Sequence, residues 1–230
     1  MSDSLPGLIE HIYEAALDDE ALRRLPAAFA ALVDARSCTL QHHHPDGQFE
    51  LLAFNHFGPE LQAKYIADFA MDDDWAKMLM VHGQEQVRAL DRYLSLDEFR
   101  RTRLHNEFAR PNGLAEVSHC LGTIVTLPGA GIGICGIQRD ARGGAFDAAD
   151  EQRMQHIVPH FKRLMQLRLR LAQAERSAAN ADAMFDHLPV GVLLLSDDAE
   201  VLYANAAARS LLHKGDGLCW SMARYLGAEN

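Results

Sequence analysis

The chain is poor in cysteine, and its four cysteines are not paired in sequence. Cys38, Cys120, Cys135 and Cys219 are far apart, so none has the short spacing of a zinc, haem-attachment or thioredoxin-like motif. The first residues also lack the basic and then apolar segment that directs export. Scattered cysteines without an export signal are typical of a reduced compartment. We therefore expect a cytoplasmic protein.

A basic excess and a long apolar run are also missing. The 22 basic and 32 acidic residues give a net charge of -10, which opposes binding to phosphate backbones and anionic membranes. The uncharged stretch 121–138 is interrupted by Pro128-Gly-Ala-Gly131, which predicts two buried strands around a turn instead of a membrane span. We expect no membrane association and no direct nucleic-acid contact by this chain.

Signatures of catalysis are absent. The sequence has no nucleophile elbow, Walker loop or zinc-protease helix, so we expect no enzyme and no catalytic residues. Gly131-Ile-Gly-Ile-Cys-Gly136 has the spacing of a dinucleotide-binding loop, but that loop must lead directly into a helix. Here a break at Gly143-Gly144 follows shortly afterwards. The glycines predict a closely packed strand, and we expect no cofactor.

The histidines do not predict a metal site. His156 and His160 are one helical turn apart, but Pro159 lies between them and no third ligand is near in sequence. In the run 42–44 the side chains alternate between strand faces, so at most two could reach one ion. We therefore expect no bound metal.

Helical and strand patterns alternate along the first 146 residues. Two amphipathic helices precede a hairpin formed by 37–42 and 49–54 around Pro45-Asp46-Gly47, and a helix begins at Pro59. After a helical middle, which includes a capping box at 95–98, strands are expected at about 115–127 and 131–139. Helices beside a mostly antiparallel sheet predict an α+β fold, and the order resembles that of GAF-like sensory domains.

A helix of about forty residues is expected from Asp147. Its apolar residues recur three and four apart, which is the pattern of a coiled coil. We predict a parallel homodimer through this helix; the residues expected at the interface are Ile157, Phe161, Leu164, Leu171 and Phe185. In the alternative, the helix folds back on its own domain, because Pro159 can kink it and three seam positions are alanine.

The segment 65–75 contains a candidate ligand site. Tyr65 and Trp75 offer aromatic cover and Asp74 a polar anchor, a combination suited to a small molecule with apolar and polar ends. In the alternative, Tyr65 and Trp75 are core residues and Asp74 caps a helix. The segment resembles the tyrosine and aspartate arrangement of acyl-homoserine-lactone domains in LuxR-type regulators, although Leu61 and Trp75 stand where those domains have tryptophan and proline.

The end of the chain resembles the beginning of a PAS domain. The run 190–195, the acidic turn Asp197-Asp198 and a helix capped by Asn205 form strand, turn, strand and helix. Together with Tyr65–Trp75, Ala145–Asp150 and Gly215–Leu218, this layout is similar to LuxR-type regulators with an N-terminal GAF-like sensor. The resemblance implies a sensory domain at 1–146, a signalling helix at 147–188 and a partial PAS-like segment at 189–230.

These features predict the sensing and dimerisation portion of a LuxR-type transcriptional regulator. We expect an unidentified small-molecule effector and a homodimer. The sequence shows no basic recognition helix, so the helix-turn-helix of such regulators is expected to be absent from this chain. The alternative is a stand-alone protein-interaction module with no small-molecule ligand.

Overall fold

The computed structural model describes residues 5–56, 58–114, 116–214, 218–220 and 226–228. Contacts divide the chain into two compact units, Met1–Leu169 and Arg170–Asn230. The predicted α+β class is confirmed, because helices surround an antiparallel sheet in the first unit. None of the described helices combines the length and apolar character needed to cross a bilayer.

A five-stranded antiparallel sheet lies at the centre of the first unit, in the strand order β2-β1-β5-β4-β3. The strands are β1 (Ser37–His43), β2 (Phe49–Phe54), β3 (Arg88–Ala89), β4 (Val117–Leu127) and β5 (Gly131–Asp140). The two predicted hairpins are β1–β2 and β4–β5, and β5 contains the glycine motif as a strand. Ala115, the predicted start of β4, lies outside the described residues.

Seven α-helices begin among the described residues of the first unit. They are α1 (Leu5–Glu14), α2 (Asp19–Leu32), α3 (Pro59–Asp68), α4 (Asp74–His82), α5 (Leu96–Phe99), α6 (Ala148–Gln155) and α7 (Val158–Asp186). A π-helix, Leu104–Ala109, follows α5. The predicted capping box begins α5, since Ser95 and Glu98 exchange hydrogen bonds. The first turn of α2 is capped by Asp18, which accepts from the amides of Glu20 and Ala21.

The two faces of the sheet are covered differently. On one face, residues such as Leu40, Leu121 and Ile137 pack against α1, α2, α6 and the start of α7 in the largest apolar core. On the other face, the alternate residues of β1 and β5 meet α3, α4, α5 and the π-helix. Because side chains alternate along a strand, consecutive residues of β1 belong to opposite layers.

The predicted continuous helix from Asp147 is wrong. Asp147 does cap a helix, but α6 ends at Gln155 and α7 begins at Val158. Pro159 has no amide hydrogen for the carbonyl of Gln155, and its ring would crowd that carbonyl in a continuous helix. The interruption therefore follows from one residue.

Because of this interruption, the first turns of α7 pack in the core of the first unit. Ile157, Phe161 and Leu164, predicted as interface residues, are at most 1% exposed and pack with Phe29 and its neighbours. Side chains enclosed in this way cannot form a free seam, so their assignment to a dimer interface is corrected. Leu171 and Phe185 belong to the second unit and remain 39% and 41% exposed.

The second unit begins with the remainder of α7. It continues with an antiparallel pair, β6 (Leu193–Leu195) and β7 (Val201–Ala204), then α8 (Ala206–Lys214), and a further pair, β8 (Leu218–Trp220) and β9 (Leu226–Ala228). Asn205 caps α8 as predicted, with Oδ1 accepting from the amide of Ala208 at 2.9 Å. Gly215, Asp216 and Gly217, which contributed to the resemblance, lie outside the described residues.

Candidate ligand-binding site

A cavity of about 70 Å³ lies in the first unit between the sheet and the helices α3 to α5. At roughly 15 Å³ for each water, it has room for about five water molecules or a small organic group. Its floor is the face of β1 that carries Ser37, Thr39 and Gln41, together with Gly136 and Gln138 of β5. Buried polar residues on a cavity floor are typical of a binding site.

Aromatic rings line the helical side of the cavity. Trp75 stacks on Phe99 with ring centroids 4.0 Å apart, and Tyr65 lies 5.5 Å from Phe108. The rings come from four separate elements, α3, α4, α5 and the π-helix. They supply rigid apolar cover for a ligand that also reaches the polar floor.

Tyr65 and Asp73 form the centre of a buried hydrogen-bond network at the cavity. The Tyr65 hydroxyl donates to Oδ2 of Asp73 at 2.7 Å and accepts from Nε2 of Gln41 at 3.3 Å. Asp73 also caps α4, because its Oδ1 accepts from the amides of Trp75 and Ala76 at 2.8 and 3.2 Å. The Asp73 carboxylate therefore connects the start of α4 to Tyr65, and the Tyr65 hydroxyl connects both to β1 through Gln41.

Burial shifts both ionisable groups of this network toward their neutral forms. It is the largest effect on Tyr65, whose pKa is raised well above its ordinary value, with the Asp73 carboxylate adding to the shift. Burial also raises the pKa of Asp73, although the hydrogen bonds from Tyr65, Ala76 and Trp75 oppose it. Such a carboxyl group can accept a hydrogen bond from a ligand with little competition from water.

A second set of polar side chains, Ser37, Gln138 and His56, also lines the cavity. Ser37 donates its hydroxyl proton to Oε1 of Gln138 at 2.9 Å, and His56 lies on the same cavity. Burial, with a smaller effect of the Arg36 guanidinium, lowers the pKa of His56 to about 4. The imidazole is therefore neutral at pH 7 and can both donate and accept.

The structure brings two of the three predicted site residues to the cavity. Tyr65 and Trp75 line it, but the carboxylate beside them belongs to Asp73 and not to Asp74. Asp73 is the N-cap of α4, so its side chain turns back toward the first amides of the helix. Asp74 is the first helical residue, and its carboxylate lies 4.0 Å from the exposed Lys77.

Sequence reasoning missed Ser37, Gln41, His56, Asp73 and Gln138. In β1, polar residues alternate with Cys38 and Leu40, which is the pattern of a strand with one solvent-exposed face. That face is buried only because α3, α4 and α5 cover it. The alternation of polar residues in β1 was visible in the sequence. Whether the polar face meets solvent or lines a cavity depends on tertiary contacts that the sequence pattern does not give.

The comparisons with known proteins give one family match and several similar structures. A PAS domain family matches residues 182–228, within the second unit. No curated protein sequence matches the chain significantly. Among solved structures, the VqsR LBD domain of Pseudomonas aeruginosa is similar with a TM-score of 0.55 at 17% identity, over 71% of this chain and 94% of that chain.

Two further structures are similar with weaker agreement. One is CepR2 of Burkholderia cenocepacia, an N-acylhomoserine lactone dependent LuxR family transcription factor, with a TM-score of 0.49 at 17% identity, over 72% of this chain and 96% of that one. The other is the GAF domain of a phosphoenolpyruvate-protein phosphotransferase from Coxiella burnetii, with a TM-score of 0.47 at 17% identity, over 77% of this chain and 98% of that one. At these identities the similarity to VqsR shows a shared fold and does not identify a ligand.

Proposed function

We propose that the first unit is the small-molecule sensor of a LuxR-type transcriptional regulator. The observation that carries this proposal is the cavity in which the Tyr65–Asp73–Gln41 network faces the Trp75 and Phe99 rings. Apolar walls with a few convergent polar groups are the usual composition of a small-molecule site. The fold shared with the VqsR LBD domain supports the proposal.

The lining favours a particular class of ligand. The Asp73 carboxyl and the neutral Tyr65 and His56 side chains suit a small neutral molecule with an N–H or O–H donor at one end and an apolar body. An anionic ligand is disfavoured, because it would meet the Asp73 carboxylate in a poorly hydrated site. A long acyl chain would exceed the present 70 Å³ and requires the helices to separate.

The signal is proposed to pass through the sheet to α7. Residues 37, 39 and 41 of β1 line the cavity, whereas Cys38 and Leu40 pack in the core that also holds Phe161 and Leu164. Ligand binding can shift this packing only if the ligand has different affinities for two arrangements of it. We propose that the protein acts in this way as a homodimer and without catalysis.

Thermal shift and calorimetry with a metabolite panel that includes N-acyl homoserine lactones test the sensor proposal. A ligand at one hundred times its dissociation constant should stabilise the fold by about 2.7 kcal/mol. Tyr65→Phe removes the donor to Asp73 and should weaken that ligand at least tenfold, a change of about 1.4 kcal/mol. Tyr93→Phe is the matched control, because Tyr93 stacks on His82 and does not line the cavity.

Two results would contradict the sensor proposal. One is the absence of any shift across the panel for a folded protein. The other is a ligand that binds equally to wild type and Tyr65→Phe.

A protein-interaction module is the second candidate function. It is favoured by the apolar surface of the second unit, where Val190, Leu194, Leu202 and Leu211 are each more than half exposed. Large exposed apolar side chains mark an interaction surface where they form a contiguous patch. Failure of the ligand screen together with a specific protein partner for residues 170–230 would favour this candidate.

A further inference from the structure

The β1–β2 hairpin brings together three metal-ligating side chains that the sensor proposal does not use. His42 and His44 are two residues apart, so their side chains leave the same face of the hairpin. Glu50 of β2 pairs directly with His42 across the strands. One ring nitrogen of each histidine and one carboxylate oxygen of Glu50 lie within 4.8 Å of one another.

The distances are close to those of a formed metal site. Nε2 of His44 lies 3.9 Å from Oε2 of Glu50, and the rings of His42 and His44 have centroids 3.9 Å apart. Metal–ligand bonds of about 2.0–2.1 Å place the ligands of a tetrahedral zinc ion roughly 3.3 Å apart. The present separations, 3.9 Å for the His44–Glu50 pair and at most 4.8 Å within the group, exceed this spacing by about 0.6 to 1.5 Å.

His42 is already held as metal-ligating histidines usually are. It is 1% exposed, and its Nε2 donates to the carbonyl oxygen of Ala130 at 2.7 Å. A backbone carbonyl on one ring nitrogen fixes the ring and leaves the other nitrogen with its lone pair for a metal.

We propose that His42, His44 and Glu50 bind a divalent transition metal, for which Zn²⁺ is the best-matched ion. Two imidazoles and one carboxylate form a ligand set that zinc uses. The side chains of His44 and Glu50 are 32% and 59% exposed, so water can complete the coordination from the solvent side. An exposed His44–Glu50 ion pair alone would contribute little and would not require the fixed His42 ring.

The proposed metal site is separate from the ligand cavity. Gln41 faces the cavity, and its neighbour His42 projects from the opposite face of β1. If the metal proposal is wrong, the sensor proposal is therefore unaffected. If the sensor proposal is wrong, the metal proposal is likewise unaffected.

Titration of the untagged full-length protein with Zn²⁺, and with Co²⁺ for its absorption spectrum, tests the site. Wild type should bind one ion per chain at this site. Glu50→Gln and His44→Ala should each weaken it at least tenfold. These two positions are chosen because they are the exposed ligands, and circular dichroism melting without metal checks that the variants fold.

The controls remove the same chemical groups elsewhere. Glu60→Gln removes an exposed carboxylate from α3, and His156→Ala removes an exposed histidine between α6 and α7. Both should bind zinc as wild type does. The proposal is overturned if folded wild type binds no Zn²⁺ or Co²⁺ at millimolar concentration, or if binding persists unchanged in both Glu50→Gln and His44→Ala.

Discussion

A single histidine on the cavity should make the stability of the first unit depend on pH. The pKa of His56 is about 4 in the folded protein, against 6.5 ordinarily, chiefly because of burial. Between these values the unfolded chain takes up a proton that the folded protein does not, so stability is lost as pH falls from 6.5 toward 4. The shift corresponds to about 3 kcal/mol at 1.36 kcal/mol per unit.

His56→Gln tests this expectation by urea unfolding between pH 7 and 4. The wild type should lose up to about 3 kcal/mol more than the variant over this interval, because glutamine at position 56 does not titrate and all other titrating groups are common to the two proteins. The comparison uses the change with pH, so a constant cost of the substitution does not affect it. Parallel stability profiles for the two proteins would show that His56 is not held neutral.

Neighbouring aspartates show how far residue-level prediction reached. The sequence indicated an aromatic and carboxylate site in 65–75, and Tyr65 and Trp75 do line the cavity. The choice between Asp73 and Asp74 depended on where α4 begins, and helix ends are uncertain by one or two residues in sequence patterns. A shift of one position at the helix start changes the direction in which the side chain points. Asp73, at the N-cap, faces Tyr65, whereas Asp74, the first helical residue, does not.

Element boundaries were predicted well where local chemistry determines them. The hairpin turns, the Ser95 and Asn205 caps and the strand containing Gly131–Gly136 depend on contacts within a few residues. The pairing of β1 with β5 and the layer formed by α6 and α7 depend on contacts between distant segments. A heptad-like apolar pattern on α7 could not distinguish a partner helix from the core of its own domain.

Asn205 joins α7, α8 and the segment that precedes β6 through four hydrogen bonds. Its Oδ1 accepts from the amides of Val192 and Ala208, and its Nδ2 donates to the carbonyls of Phe185 and Val190. The residue is fully buried. Asn205→Ala removes all four hydrogen bonds and should cost on the order of 3 kcal/mol.

Amide hydrogen exchange can locate this loss. In Asn205→Ala the amides of Val192 and Ala208 should exchange at least about a hundredfold faster, since 1.4 kcal/mol corresponds to tenfold. Asn180→Ala is the control, because Asn180 is exposed on α7. Unchanged protection of both amides in Asn205→Ala would contradict the bridging role.

At the scale of the whole molecule, the two units divide α7 between different tasks. Its first turns are enclosed in the core of the first unit, whereas residues 173–186 are exposed throughout. Leu171, Ala174, Ala178 and Phe185 recur at coiled-coil spacing on this exposed part. The dimer prediction is therefore restricted to a shorter coiled-coil interface, the seam, which begins near Leu171.

Sedimentation of full-length variants tests the shortened seam. Leu171→Glu with Ala178→Glu places two charges one heptad apart on the seam, where burying them against a partner helix is unfavourable. Gln173→Glu with Asn180→Glu adds the same charge at the same spacing away from the seam, on residues that are also exposed. Wild type and the control pair should sediment at twice the 25.5 kDa chain mass, and the seam pair as a monomer. A monomeric wild type, or a seam pair that remains dimeric, would exclude α7 as the dimer interface, because no other part of the helix leaves its apolar residues exposed in that register.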